Sequence, residues 1–129
     1  MKKIWAVLFF FVSLNVFCQS TNDQPNENEY VPMQRVSTLP QFDERQIMDA
    51  LVYPVSAFRS GIEGRVILEL FVDSEGQVRR VLIVQEEPLN MNFGEAAVRA
   101  FMGLKGEPAR LNGEAVSVRY RYPVSFRLR

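Results

Sequence analysis

Close pairs of carboxylates are the residues of this sequence best suited to chemistry. Asp73 and Glu75 lie two residues apart, and Glu86 and Glu87 are adjacent. Two carboxylates in one site can divide the roles of general acid and general base if their surroundings shift the two pKa values apart. The first pair falls in a predicted hairpin turn and the second in a loop before Pro88, where solvated acids are ordinary. We therefore predict no catalytic site at either pair.

Other residue types that usually perform catalysis are missing or lack partners. The 129 residues contain no histidine, which removes the commonest general base and the commonest transition-metal ligand. The serines consequently have no imidazole to activate them. The glycines of GIEG and SEG lack the spacing and the downstream lysine of a phosphate-binding loop. The sequence therefore predicts a protein that is not an enzyme and that uses no metal ion and no cofactor.

Composition predicts one ordinary domain with a hydrophobic core. Apolar residues make up 47% of the chain, and 15 Lys and Arg balance 15 Asp and Glu. The apolar share argues against global disorder, and the charge balance argues against a whole-chain nucleic-acid binder.

The first 18 residues have the layout of an export signal. Lys2 and Lys3 precede an apolar run from Ile4 to Phe17, and Cys18 follows. Three interpretations stay open: cleavage after Cys18, retention as an inner-membrane anchor, or lipidation of Cys18. The apolar run is shorter than the roughly 20 residues of a membrane-spanning helix, which favours cleavage. We expect residues 1–18 to be a signal peptide or short anchor that places the domain in the periplasm.

The next segment predicts a linker rather than a folded element. Residues 19–34, QSTNDQPNENEYVPMQ, are polar and contain two prolines, so we expect a flexible tether. The folded domain is predicted to occupy residues 35–129. Cys18 is the only cysteine, so no internal disulfide stabilises that domain.

Helical signals appear before and after a predicted hairpin. Asp43 and Gln46 have capping-box spacing, and a second short helix is predicted from Pro54 to Gly61 with Ala57 and Phe58 facing inward. Further along, Asn92 and Glu95 repeat the capping-box spacing. The helix that they begin has one apolar stripe, made of Phe93, Ala96, Ala97, Ala100, Phe101 and Leu104.

Alternating residues predict the strands. Val66, Leu68, Leu70 and Val72 form one apolar row, and the turn at residues 73–76 joins this strand to a return strand. The apolar phase of the return strand slips at Arg79-Arg80. A β-bulge there and a strand buried on both faces around residues 82–84 are equally open interpretations.

The C-terminal strand alternates without error. Apolar side chains at Val116, Val118, Tyr120, Tyr122, Val124, Phe126 and Leu128 oppose a face that carries four arginines. Pro123 lacks an N–H and predicts a sheet edge at its position. The element order is helix, hairpin, helix, strand. We therefore predict an α+β domain with a three-stranded antiparallel sheet and two helices packed on one face. The arginine face is either simply solvated or a cationic strip that orients an acidic partner.

Several short motifs, in this order, resemble the C-terminal domain of the TonB family. They are Tyr53-Pro54, the run from Gly61 to Val66, Val72-Asp73, Gly76, Ala96-Ala97, Asn112-Gly113 and the run from Pro123 to Phe126. The resemblance covers about residues 38–128.

The resemblance implies a periplasmic, two-helix and three-stranded module. Such a module binds the TonB box peptide of an outer-membrane TonB-dependent transporter as an added strand, in energy-coupled uptake of nutrients such as iron-siderophores. It also implies an ExbB–ExbD motor as a partner if the N-terminal segment is retained. The implied partner-binding edge strand is Val116, Ser117, Val118, Arg119, Tyr120, Arg121 and Tyr122, with Tyr53 and Pro54 as a second contact.

A second class of function stays open from the sequence. The domain is alternatively a periplasmic structural module that forms a homodimer, or scaffolds an envelope complex, through its edge strand without energy transduction. Neither hypothesis involves nucleic acid.

Overall fold

A computed structural model describes residues 26–129, so the predictions for residues 1–18 and for the start of the tether lie outside the described part. The helices are α1 (Glu44–Ala50), α2 (Val55–Arg59) and α3 (Phe93–Phe101). The strands are β1 (Val31–Pro32), β2 (Gly64–Val72), β3 (Val78–Glu87), β4 (Ala109–Leu111), β5 (Glu114–Val116) and β6 (Val118–Phe126). Single 3₁₀ turns flank β1 at Glu27–Glu29 and Met33–Arg35.

The main sheet has the strand order β1-β6-β2-β3. Strands β6 and β3 run antiparallel to the central β2, and β1 runs parallel to β6. The predicted α+β fold is confirmed, but the sheet has four strands rather than three because β1 joins it. Strands β4 and β5 form a separate hairpin. The described residues contain three α-helices, each in a region where a helix was predicted, although the predicted fold counted only two.

The hydrophobic core lies between β2 and α3. The row Val66, Leu68, Leu70 and Val72 is fully buried, as the alternation predicted. The stripe of α3 packs on this row through Phe93, Ala97, Ala100 and Phe101, also as predicted. On the opposite sheet face Phe71 is buried too, because the ring of Tyr30 packs edge-on against it at 5.2 Å.

The tight turn between β2 and β3 is built around one carboxylate. The Asp73 side chain accepts hydrogen bonds from the N–H groups of Glu75 and Gln77 and from Nε of Arg79, the last at 2.7 Å. Burial alone would raise the pKa of Asp73, but these hydrogen bonds outweigh burial and lower it. The carboxylate of Asp73 therefore has a structural role in the turn.

Strand β3 contains two irregularities in its pairing with β2. Arg80 pairs with Phe71 and Val78 with Val72, which leaves Arg79 as an extra residue and confirms the predicted bulge. A second register shift leaves Val84 as an extra residue. The alternative of a strand buried on both faces is wrong, because Ile83 and Val84 are 46% and 41% exposed.

Three local predictions are wrong. Phe58 is exposed rather than inward because Ala57 takes the buried position of the short helix α2. Asn92 has φ +62° and makes no side-chain capping bond, and Glu95 pairs with Arg99 instead of forming a capping box. Val116 ends β5 and pairs with Ala109, so the long C-terminal strand begins only at Val118.

We expect Asp73→Asn to lower the free energy of unfolding by about 1–2 kcal/mol at neutral pH, because three N–H donors lose a charged acceptor. The folded-state pKa of Asp73 is depressed. Its contribution is therefore present above the unfolded value of about 4 and is lost as pH falls through the folded value. Urea unfolding at neutral pH and at about pH 3 measures this effect, with Glu75→Gln as the control. Equal stability of the wild type and Asp73→Asn at neutral pH would contradict it.

Two glycines with the same backbone conformation allow a matched test of close packing. Gly76 and Gly113 both have φ +86°, but a Cβ at Gly76 would lie 2.0 Å from the carbonyl oxygen of Gly106, whereas the space at Gly113 is open. We expect Gly76→Ala to lower the free energy of unfolding by about 2 kcal/mol more than Gly113→Ala. The Gly113 variant introduces only the strain of a positive φ at alanine, without a steric overlap. Equal losses of unfolding free energy in the two variants would show that the close approach of the new Cβ to the Gly106 carbonyl does not destabilise the fold.

Candidate functional site

The outer side of β6 presents unpaired main-chain groups. One side of β6 pairs with β2 over its whole length, from Val118 opposite Val72 to Phe126 opposite Gly64. On the other side, the carbonyl of Ser117 accepts a 2.9 Å hydrogen bond from the N–H of Val31. Main-chain groups alternate in direction along a strand. The odd-numbered residues of β6 therefore direct their main-chain groups outward, namely the N–H and C=O of Arg119, Arg121 and Ser125 and the C=O of Pro123.

Pro123 occupies a position where its missing N–H costs nothing in the β2 ladder. It pairs with Ile67 in register, and its nitrogen belongs to the outward row. Proline is tolerated in a sheet where its nitrogen faces an edge. The structure thus confirms that β6 lies at an edge at Pro123, where β2 is its sole strand neighbour among the described residues.

The short strand β1 already covers one end of this edge. Val31 pairs with Val118 and Pro32 with Arg119, after which the chain turns away through the 3₁₀ turn at Met33–Arg35. Residues 27–32 belong to the segment expected to be a flexible tether, yet here they form a 3₁₀ turn and a strand on the domain. The open main chain of the edge runs from residue 121 to residue 125.

The predicted edge residues therefore divide into four groups. Val116 belongs to the β4–β5 hairpin, and Ser117 to Arg119 lie beside β1. Tyr120 is buried and Tyr122 half-buried in the core face, and burial together with the nearby Tyr122 raises the pKa of the Tyr120 hydroxyl. Arg121 alone combines an exposed side chain with an outward main chain beyond β1.

Helix α1 forms a wall beside the open part of the edge. A groove of about 240 Å³ lies between α1 and β6. Its apolar lining comes from Ile47, Met48 and Leu51 on the helix and from Tyr122, Pro123 and Val124 on the strand. Met48 is 66% exposed. An extended peptide on β6 would therefore have apolar side chains beside it as well as hydrogen-bonding groups.

The arginines of β6 differ in their surroundings. Nε of Arg119 lies 3.3 Å from a carboxylate oxygen of Glu69, so this charge is paired within the domain. Arg121 and Arg127 are exposed, and no ion pair involves either within residues 26–129. The cationic strip considered in the sequence analysis would therefore consist of the arginines that follow Arg119, because Arg119 is paired within the domain.

The Tyr53-Pro54 motif has a structural role. The Tyr53 ring packs edge-on against Phe58, Phe93 and Phe126 at 5.7 to 5.9 Å, and its hydroxyl donates a hydrogen bond to the Ile62 carbonyl. Burial, followed by the charge of Glu63, raises the pKa of that hydroxyl. Both motif residues also line a wider groove of about 650 Å³ between α2 and α3. Contact of Tyr53 and Pro54 with a partner stays a prediction.

Metal-binding clusters and membrane-spanning helices are both lacking in the part of the chain that the structure describes. Within residues 26–129, no three His, Cys, Asp or Glu side chains cluster in a way that could hold a metal ion. The helices of this part are too short or too polar to cross a membrane.

Sequence reasoning missed the residues that cover the edge. Tyr30 and Val31 are two apolar residues in a polar segment, and Tyr30 is only 8% exposed. The adjacent apolar pair was the available signal, but nothing near it in the sequence indicated the distant β6 as its pairing partner.

Comparisons with known proteins agree with this architecture. The sequence matches the family described as Gram-negative bacterial TonB protein C-terminal over residues 49–128. Protein TonB from two strains of Xanthomonas campestris pv. campestris is 38% identical over 76 residues. The match covers 59% of this chain but 34% of those relatives, so the chain spans about a third of their length.

A solved structure supports the fold. The solution NMR structure of the Pseudomonas aeruginosa TonB CTD superposes with a TM-score of 0.52 at 24% identity, covering 76% of this chain and 93% of that one. At this identity the likeness concerns the fold alone. Since the family match spans more than half of the sequence, the chain belongs to the family of Gram-negative bacterial TonB C-terminal domains.

Proposed function

We propose that the domain binds an extended peptide of a partner protein by β-strand addition to β6. The observation that carries this proposal is the outward row of main-chain groups at residues 121–125, beside the groove under α1. In this proposal the partner is an outer-membrane TonB-dependent transporter and the peptide is its TonB box. The process is energy-coupled uptake of nutrients such as iron-siderophores across the outer membrane.

Strand addition divides affinity and selectivity between two kinds of contact. Each new ladder hydrogen bond contributes roughly 1 kcal/mol net, independent of the peptide sequence. Alternate side chains of the peptide point toward the α1 side of the sheet, where Met48 and Leu51 favour apolar residues. The others point to the opposite face, where Arg121 favours an acidic residue.

The location and the energy source depend on residues 1–18. Removal of this segment gives a periplasmic domain without a direct link to an inner-membrane motor. Retention as an anchor would allow coupling to an ExbB–ExbD motor, and lipidation of Cys18 would attach the domain to a membrane. N-terminal sequencing of protein recovered from soluble and membrane fractions distinguishes removal from retention, because a cleaved chain begins at Gln19 and a retained one at Met1.

Substitutions at Arg121 separate main-chain from side-chain contributions to peptide binding. Arg121→Pro removes the outward N–H, whereas Arg121→Ala keeps that N–H and removes the charged side chain beyond Cβ. The hydrogen bonds between β6 and β2 remain because the N–H of Arg121 points away from β2, and proline is tolerated where its nitrogen faces a sheet edge. We expect Arg121→Pro to weaken binding of a TonB-box peptide about tenfold or more, and Arg121→Ala less than about fivefold. Isothermal titration measures both affinities.

Amide shifts in NMR spectra locate the bound peptide on the same samples. We expect the largest shifts at residues 121–125 of β6. The proposal fails if the shifts concentrate at the Asp73–Gly76 turn, or if Arg121→Pro binds as tightly as the wild type while its spectrum shows an intact fold.

A second candidate function is self-association within the cell envelope. The observation that favours it is a group of exposed apolar side chains at the corner between α1 and α2, namely Met48, Val52, Val55 and Phe58. Such groups on a soluble surface often mark protein contacts. We expect Phe58→Ser to dissociate any dimer without unfolding the domain, and native mass measurement checks this. A monomer at all concentrations would exclude the second candidate.

A further inference from the structure

Residues 27–36, here called the resident segment, carry a strand that uses the same edge as the proposed partner. Val31 donates its N–H to the outward carbonyl of Ser117, and the pairing runs parallel to β6 through Arg119. This is strand addition within one chain. The geometry demonstrates that the outward side of β6 accepts an extended segment.

Side chains on both sides of β1 hold the resident segment in place. Tyr30 packs edge-on against Phe71, over which the guanidinium of Arg80 lies at 5.4 Å from the ring centroid. Arg80 also reaches a carboxylate oxygen of Glu27 at 3.3 Å. Met33 and Val36 pack against the edge of the core. Tyr30 is thus the main apolar anchor of the segment.

The main-chain pairing of the resident segment is short. It covers two residues of β6, and Pro32 begins the turn that leads the chain away. Beyond this point the outward groups at Arg121, Pro123 and Ser125 have no strand partner among the described residues. A partner strand that extended from Ser125 back to Ser117 would replace this short pairing with a longer one.

We propose that the resident segment is an internal competitor for the partner-binding edge. This inference rests on the proposed function, since it concerns the same edge. A partner that contacts only residues 121–125 binds beside the segment. One that pairs along the whole of β6 must displace Val31 and Pro32, and its affinity is lowered by the fraction of molecules in which the edge is closed.

The competition can be tested with the chain's own sequence as the ligand. The probe is a synthetic peptide of residues 26–36, NENEYVPMQRV, added to the full chain. Tyr30→Ala removes the anchor on Phe71, and Val31→Pro independently removes the N–H that binds Ser117 while leaving Tyr30 intact. Gln34→Ala is the matched control, because Gln34 is exposed and lies outside the paired residues.

We expect the probe to bind Tyr30→Ala and Val31→Pro about tenfold or more tightly than the wild type or Gln34→Ala. In the absence of probe, hydrogen exchange at the Arg119 amide should accelerate in the first two variants only, because that N–H faces β1. Circular dichroism and thermal unfolding of each variant verify that the domain is folded.

Two results would overturn the inference, and a third would overturn only the proposed transporter partner. Faster exchange at Arg119 without tighter probe binding would show that release of the segment does not open a binding site. Unchanged exchange in both variants would show that β1 does not hold this edge closed. If the probe binds the opened variants while a TonB-box peptide binds none of the proteins, the competitor stands and the proposed transporter partner is wrong.

Discussion

The structure depends on the burial of β2 in the centre of its sheet. The side chains of Val66, Leu68, Leu70 and Val72 are fully buried, and each such burial contributes about 1.5–3 kcal/mol to folding. Both edges of β2 are paired, so its main-chain groups are satisfied by β3 on one side and β6 on the other. The positions of α3 and of the outward row on β6 follow from this strand, because both pack or pair directly on it.

The pairing of β6 with β2 also accounts for a candidate site that is made of main-chain groups rather than reactive side chains. A strand-binding edge needs main-chain groups held straight and exposed, and it needs apolar or charged side chains only at its borders. The β2 ladder straightens β6, Pro123 keeps its ring on the outer side, and α1 supplies the apolar wall. Acidic residues such as Asp73 are used for turns instead. The lack of histidine is therefore compatible with a protein that recognises a partner by its backbone.

Much of the fold was predictable because its signals are local. Strict alternation in β2, the apolar stripe of α3 and the glycines of the turns are each visible within a window of about ten residues. The bulge at Arg79 was also detectable, as a slip in the apolar phase. By contrast, Phe58 was misassigned because a helix of a single turn buries too little of its surface for periodicity to decide which side faces inward.

The extent of the open edge could not be predicted from local pattern. The alternation from Val116 to Leu128 is uninterrupted, yet Val116 pairs with Ala109 because the Asn112-Gly113 turn brings β4 and β5 together. The covering of Val118 and Arg119 by β1 joins positions far apart in the sequence. Pairing over such a distance depends on the complementary surface around Phe71, which exists only once the sheet has formed.

The two bulges of β3 have a consequence for assembly. A sheet that stacks edge to edge into a fibre needs two regular edges on every subunit, one to donate and one to accept. In this domain the extra residues Arg79 and Val84 interrupt the regular spacing of hydrogen-bonding groups along β3. Any further strand that joined this sheet would therefore add at β6, because the far side of the sheet offers no regular edge. A domain with only one regular sheet edge thereby avoids polymerising into a continuous sheet.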